Sequence, residues 1–334
     1  MRLLIFEYIT GGGLINEALP LDLATEGDLM LGALVNDLLD LPDIEMVIPR
    51  DFRLAVPKFQ GDQSRLSVVE MNRNGVFAQQ WRELLDTCDA VWPIAPETNH
   101  ILMNLCQSVR DAGRILLNSP AVAVACATSK LATVVLLEEK NIPVVPTWAL
   151  HQARTLSAGP WVLKPDDGVG CENVRIIREL KELERIDFDR LDSEWIIQPL
   201  IPGDAISLSL LCRQGEARLL SCNRQQVTMI DSGFHLNGCV VNGIRDVSGI
   251  FRQLAERIAA ALPRLWGYVG VDLIAAANGP LVLEINPRLT TSYVGLRRAL
   301  GINPAGLVME LLDHKKTPMP PIRHLPAAAV AIEW

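Results

Sequence analysis

Oxygen-bearing side chains inside an otherwise apolar hairpin constrain this chain more than any other feature. Val271-Asp272-Leu273 lead through Ala277-Asn278-Gly279-Pro280 into Leu281-Val282-Leu283-Glu284-Ile285-Asn286-Pro287-Arg288. Side chains alternate along a strand, so Val282, Glu284 and Asn286 are expected on one face and Leu281, Leu283 and Ile285 on the other. A carboxylate and an amide oxygen two residues apart, with Asp272 on the paired strand, make a hard-oxygen donor set of the kind that holds Mg2+. A two-residue turn at Asn278-Gly279 would pair Asp272 with Ile285 and turn it to the wrong face. The hairpin therefore needs an odd-length loop or a bulge. The plainer reading is a solvated hairpin face; the tight interleaving of acids with apolar residues argues against it.

A second motif lies upstream. Lys164 ends the apolar run Trp161–Lys164 and is followed by Pro165-Asp166-Asp167-Gly168-Val169-Gly170. Glycines in such a loop let backbone N–H groups approach phosphate oxygens closely. The lysine precedes the glycines, which excludes a Walker A loop, and the GxGxxG dinucleotide spacing is missing. An ordinary strand exit is the competing account of this segment alone.

The rest of the chain supplies a frame for these two motifs. Leu3–Phe6 reads as a buried strand emptying into Gly11-Gly12-Gly13, and strands recur at 44–48 and 90–94 between helical stretches at 28–41 and 99–112. This alternation predicts a mostly parallel α/β sheet ending near Asn118-Ser119-Pro120. A helix over 129–140 and strands at 161–164, 174–177 and 195–198 follow, with a charged helical stretch at 179–185. Beyond Pro202-Gly203 the runs 205–212, 217–222, 271–276 and 281–285, with a helix at 249–262, predict antiparallel α+β structure. The expected division is residues 1–118, 119–198 and 199–334.

With 334 residues and 49% hydrophobic content, the chain is long enough for several lobes, and a net charge of -8 offers no field for nucleic acid. Seven cysteines without a CxxC pair argue against both a disulfide framework and structural zinc. No apolar run approaches the roughly 20 residues of a membrane span, so the expectation is a cytoplasmic protein. His100, His151, His235, His314 and His324 show no metal-ligand spacing; His235, near Gly238, is the one to watch.

The order of these parts resembles the ATP-grasp superfamily over roughly residues 119 to 312. The resemblance rests on Lys130 on an early helix, Lys164 before the 166–171 glycine loop, the Gln198-Pro199-Leu200-Ile201 hinge, and Asp272 with Glu284-Ile285-Asn286-Pro287-Arg288. It implies an α/β amino-terminal domain followed by two lobes that clasp ATP. By the same resemblance Lys130, Lys164, Asp166, Gly168 and Gly170 would hold phosphates, Gln198 to Ile201 would meet adenine and Asp204 would meet ribose. Asp272, Glu284 and Asn286 would hold Mg2+, with Mn2+ as an alternative and two ions expected, while Arg288 would grip the transferred phosphoryl group. Arg224 is a further candidate for a substrate carboxylate or phosphate; a structural salt bridge is its other account. Thr290-Thr291-Ser292-Tyr293 could shape the acyl pocket or cap a helix.

The implied activity is Mg2+-dependent ligation: a carboxylate is phosphorylated to an acyl phosphate, an amine displaces phosphate, and lid closure keeps water out. Phe6-Glu7-Tyr8, Ile94-Ala95-Pro96-Glu97-Thr98 and Asn118-Ser119-Pro120 look like the subgroup that contains tyramine-glutamate ligases, although Ser129 stands where close relatives often carry Asp. That finer resemblance implies glutamate as acid, tyramine or tyrosine as amine, and a furan-type one-carbon cofactor as the setting; it leaves a homodimer open. Three rivals remain: a non-ligase ATP-binding regulator, a dinucleotide oxidoreductase and an ATP-dependent kinase. Retention of both lysines and the oxygen donors argues against the first, and missing GxGxxG spacing against the second.

Overall fold

The computed structural model describes residues 1–72, 75–155, 159–171, 173–185, 194–231, 233–313, 319 and 328–333. His314 and His324 lie outside them. The apolar runs of the first third form five parallel strands, β1 (Arg2–Glu7), β2 (Glu45–Asp51), β3 (Leu66–Met71), β4 (Ala90–Ile94) and β5 (Ile115–Leu116), in the order β3-β2-β1-β4-β5. Parallel pairing demands crossovers, supplied chiefly by α1 (Leu21–Leu39), α2 (Phe77–Asp86) and α3 (Ile101–Asp111). Helix α1 starts seven residues before the expected Asp28. The strand order reverses between β1 and β4, where a doubly wound sheet opens a crevice at its carboxyl ends.

After α4 (Ala121–Thr128) and α5 (Lys130–Glu139) comes a four-stranded antiparallel sheet, β6 (Trp148–Ala149), β7 (Trp161–Pro165), β8 (Arg175–Ile177) and β9 (Trp195–Pro199). The charged stretch expected to be helical is a 3-10 segment, Leu180–Arg185. Leu200–Pro202 then lead into a six-stranded antiparallel sheet of order β14-β13-β10-β11-β12-β15. Its strands are β10 (Gly203–Arg213), β11 (Glu216–Ile230), β12 (Gly233–Ile244), β13 (Gly267–Ala276), β14 (Gly279–Asn286) and β15 (Val330–Glu333). Helices α6 (Ile250–Ala261), α7 (Tyr293–Leu300) and α8 (Pro304–Glu310) complete it. The parallel amino-terminal sheet and the antiparallel sheet beyond residue 202 are those expected; β3, β5, β6, β12, β15, α2, α4, α7 and α8 were not read from the sequence.

Packing ties these parts unequally. Leu3, Ile5, Leu31, Leu34 and Leu38 of the first domain share one core with Val241, Tyr293, Leu296 and Ile332 of the last. Tyr293 Oη donates to the nearly buried Asp37 of α1 at 2.7 Å inside that core. Helices α4, α5 and α6 pack beneath the six-stranded sheet through Ala127, Val134, Leu137 and Ile258. The four-stranded sheet keeps a small separate core of Trp161, Leu163, Ile177, Leu183 and Ile197. No single helix among the described residues is long and apolar enough to cross a membrane.

Candidate active site

The hairpin of β13 and β14 carries the feature its sequence demanded. Ala276 pairs with Gly279 across a tight Ala277-Asn278 turn, one residue earlier than expected, and a bulge then shifts the register so that Asp272 faces Glu284. Leu283 is the extra residue. Its insertion corrects the predicted faces: Val282, assigned with Glu284, is 1% exposed in the core, while Leu283 lines the cavity beside Glu284. Without that insertion the turn would set Asp272 opposite Leu283.

Asp272, Glu284 and Asn286 now converge. Asn286 Nδ2 donates to Asp272 Oδ2 at 2.9 Å, which leaves the amide oxygen of Asn286 for a cation. Gln225, a residue the sequence reading did not assign, donates to Asp272 Oδ1 at 2.8 Å. Burial and the neighbouring Glu284 charge push the Asp272 carboxyl well above the usual range. Burial also opposes ionisation of Glu284, yet the ammonium groups of Lys130 and Lys164 hold it below its ordinary value. Two carboxylates repelling each other beside an amide oxygen are the arrangement a divalent cation relieves, so these residues fit Mg2+.

Both lysines are buried against this cluster. Lys130 is the first residue of α5, whose N-cap Ser129 accepts from Ala132 N at 3.0 Å. That cap accounts for a short hydroxyl residue before Lys130. Lys130 Nζ lies 3.3 Å from Glu284 Oε2 and donates to Gly168 O at 2.6 Å and Asp166 O at 3.2 Å. Lys164, at the end of β7, is 7% exposed, and burial pushes its ammonium down to about 8 against the pull of Glu284. Gly170 adopts φ 62°, the left-handed backbone that glycine accepts without strain.

One cavity of about 910 Å3 collects most of the expected residues. Lys130, Lys164, Gly168, Gly170, Gln198, Pro199, Leu200, Ile201, Asp204, Arg224, Asp272, Glu284, Asn286 and Arg288 all line it. Val162, Val174, Met229, Phe234 and Ile274 give it an apolar side between the two antiparallel sheets, suited to a flat base. A second concavity of about 810 Å3, beside Asn242, Asp246 and Arg252, holds none of the predicted residues.

Several expectations need correction. Asp166 does not line the cavity; its carboxylate accepts from Leu131 N at 2.8 Å and so serves the start of α5. Within the hinge, Leu200 N–H is already bonded to Pro160 O at 3.0 Å, and the Gln198 side chain donates to Thr147 Oγ1 at 2.8 Å. Of the backbone groups expected to meet a base, the Leu200 N–H is thus committed, while all four hinge residues line the cavity. Arg224, placed with the catalytic groups, is ion-paired at 2.6 Å with Asp204, placed at the ribose; both are exposed. Each is the other's first partner. His235 is an exposed residue of β12, and its neighbours Phe234 and Leu236 line the cavity in its place.

Arg288 follows the donor set, and its Nε donates to both carboxylate oxygens of Glu97 at 3.0 and 2.9 Å. Glu97 is 3% exposed and comes from the loop after β4 in the first domain. Glu26 of α1 also lines the cavity, accepting from Thr291 Oγ1 at 2.5 Å, with no cation in ion-pair contact among the described residues. Ser292 precedes α7 without a side-chain cap bond, and Thr290 bonds Tyr268 Oη at 3.0 Å, so this hydroxyl loop shapes the cavity wall. Glu26, Glu97 and Gln225 went unassigned because separate elements carry them; Glu97 lay in the quoted segment 94–98 and Gln225 beside the candidate Arg224, and these were the only hints.

Comparison with known proteins follows the same outline. Residues 127–292 match the ATP-grasp domain and residues 44–124 the pre-ATP-grasp 3 domain. The chain is 26% identical over 297 residues to tyramine–L-glutamate ligase of Methanocaldococcus jannaschii, covering 88% of this chain and 84% of that protein. It superimposes on an ATP-grasp superfamily protein of Archaeoglobus fulgidus with TM-score 0.69 and 25% identity, covering 93% and 88% of the two chains. An L-amino acid ligase of Bacillus licheniformis shares the fold with TM-score 0.64 and 16% identity, over 92% and 73%.

Proposed function

This chain belongs to the ATP-grasp family of ATP-dependent carbon–nitrogen ligases, and we propose that it joins glutamate, activated on its side-chain carboxylate, to tyramine or tyrosine. The observation that carries the ligase chemistry is the meeting of Lys130, Lys164 and Arg288 with the bulge-aligned Asp272, Glu284 and Asn286 in one cavity. Glu26 supports an amino-acid substrate, since a carboxylate in the cavity wall with no ion-pair partner among the described residues is the complement of an ammonium group. The similarity to a tyramine–glutamate ligase supports the particular pair, and furan-type cofactor synthesis is the setting we infer from it.

Each residue has a task in this reading. Lys130 and Lys164 neutralise phosphate oxygens as the γ-phosphoryl group moves to the carboxylate. Asp272, Glu284 and Asn286 would hold Mg2+, two ions in our reading, which would screen the phosphate charges during transfer. Arg288, with Nε committed to Glu97, turns its remaining guanidinium N–H groups to the acyl phosphate. The glycine loop excludes water until the amine attacks the acyl carbon, whereupon phosphate leaves and the amide remains.

The test is ADP release from ATP and Mg2+ with L-glutamate, with and without tyramine or tyrosine, and products identified by mass spectrometry. ADP formed only with both substrates, accompanied by a glutamyl amide, is the expected result. Amide formation from other acids and amines alone would overturn the substrate assignment and leave the ligase; ADP formation without any amide would favour a kinase.

A further inference from the structure

We propose that the Pro96–Asn99 loop of the first domain is a working part of the active site, with Glu97 a positioning residue for Arg288 and Thr98–Asn99 the dock of the glycine loop. The inference rests on reading residues 164–171 as a phosphate-binding loop. Three contacts leave this one turn for two separate catalytic elements. Glu97 accepts Arg288 Nε through both oxygens, at 3.0 and 2.9 Å. Thr98 Oγ1 donates to Asp167 O at 3.3 Å, and Asn99 N donates to Asp167 Oδ2 at 2.9 Å. The partners lie 191, 69 and 68 residues away in sequence, so the fold has gathered them.

The local backbone is shaped for this. Asn99 and His100 are consecutive non-glycine residues in the left-handed region, with φ 54° and 59°. Such a pair is held only where surrounding contacts dictate it. Here the turn aims the Asn99 N–H at Asp167 while Glu97, two residues earlier, points to Arg288. Asp167 Oδ1 is buried without a hydrogen-bond partner, so the dock is what the described residues offer that carboxylate.

On the other side, Arg288 Nη1 donates to Leu289 O at 3.2 Å and its backbone N–H to Asn286 O at 2.8 Å. Glu97 thus fixes the Nε edge of the guanidinium, Leu289 O holds Nη1, and Arg288 so held lines the cavity. Glu97 itself is outside the cavity lining and acts through Arg288. Because the two holds are adjacent in one short turn, a shift of the glycine loop on nucleotide binding is carried directly to the arginine.

The test uses the full chain with Glu97→Gln, Glu97→Asp and Asp167→Ala. Four quantities are measured: ADP formation with glutamate and tyramine; affinity for a non-hydrolysable Mg2+-ATP analogue; amide exchange of residues 166–171 in its presence; and melting temperature. Glu97→Gln is expected to lower kcat about 10-fold or more with analogue affinity unchanged, the loss of one charged hydrogen bond, and Glu97→Asp to recover part of it. Asp167→Ala is expected to weaken analogue binding about 10-fold and to speed exchange in the glycine loop of the bound protein. Lowered melting temperature with wild-type kcat, affinity and exchange would reduce the loop to a brace between domains and overturn the inference. Should Glu97→Gln not fold, the other two variants carry the same decision. A wild-type chain that binds no analogue would overturn the phosphate-loop reading and the inference together, whereas a wild type that binds beside an unaltered Asp167→Ala would overturn the inference alone.

Discussion

At the scale of single residues, the site is a balance of buried charges. Glu284 lies 3.3 Å from Lys130 Nζ and also holds Lys164 by charge, so Glu284→Gln leaves two buried ammonium groups poorly compensated. We expect it to abolish measurable ADP formation and to raise the Mg2+ concentration needed for nucleotide binding, as read by a metal titration. Glu7, away from this cluster, reports on pH. It is 3% exposed, and burial raises its carboxyl to about 7 despite hydrogen bonds from Thr10. A carboxyl with its folded pKa raised binds more protons folded than unfolded, so the stability it contributes is present below about 4.5 and lost as pH rises to about 7. Glu7→Gln stays neutral throughout, so its stability relative to wild type should improve by about 3 kcal/mol between these limits, measured by denaturant unfolding at pH 4.5 and 8.

At the scale of elements, the start of α5 and the β14 bulge place the reactive groups. Ser129 caps the helix whose first residue is Lys130, so Ser129→Ala should cost about 1 kcal/mol and raise the KM for ATP, while Ser129→Asp keeps the cap and both values near wild type. Thermal unfolding and steady-state kinetics on the pair decide it. The bulge shows what strand patterning leaves open. Alternation in the sequence located the donor set and required an irregularity, yet whether loop or strand would supply it was settled by where the tight turn closed. Once Ala277-Asn278 made a two-residue turn, the extra residue had to fall in the strand, and it moved Leu283 and not Val282 to the cavity.

For the whole molecule, the cores determine what moves together. The first domain and the six-stranded sheet share one hydrophobic core with Asp37 and Tyr293 bonded inside it and the exposed Arg297 bonded to Asp37 at its edge, whereas the four-stranded sheet has only its own small cluster. We expect Tyr293→Phe to leave Asp37 short of a donor and to lower stability by about 1 to 3 kcal/mol, seen as a lower melting temperature. In hydrogen exchange, β7, β8 and β9 should open at lower free energy than β1, β4 and β13, and nucleotide should narrow that gap. Equal protection of the two sheets without nucleotide would count against a separately moving lobe.

Local chemistry made much of this legible in the sequence. Acids among apolar residues marked Asp272, Glu284 and Asn286, a lysine at a strand end before glycines marked Lys164, and the helix breaker Asn141-Ile142-Pro143 closed the helix of Lys130. Each signal lies within a few residues, the range over which alternation, capping and glycine freedom act. Tertiary structure alone decided the rest. It buried Lys130 against Glu284, gave Arg224 to Asp204, turned Asp166 to the start of α5, and brought Glu26 and Glu97 of the first domain to Thr291 and Arg288. Such pairings join residues up to 265 positions apart, and a carboxylate's partner at that separation is chosen by how the cores pack.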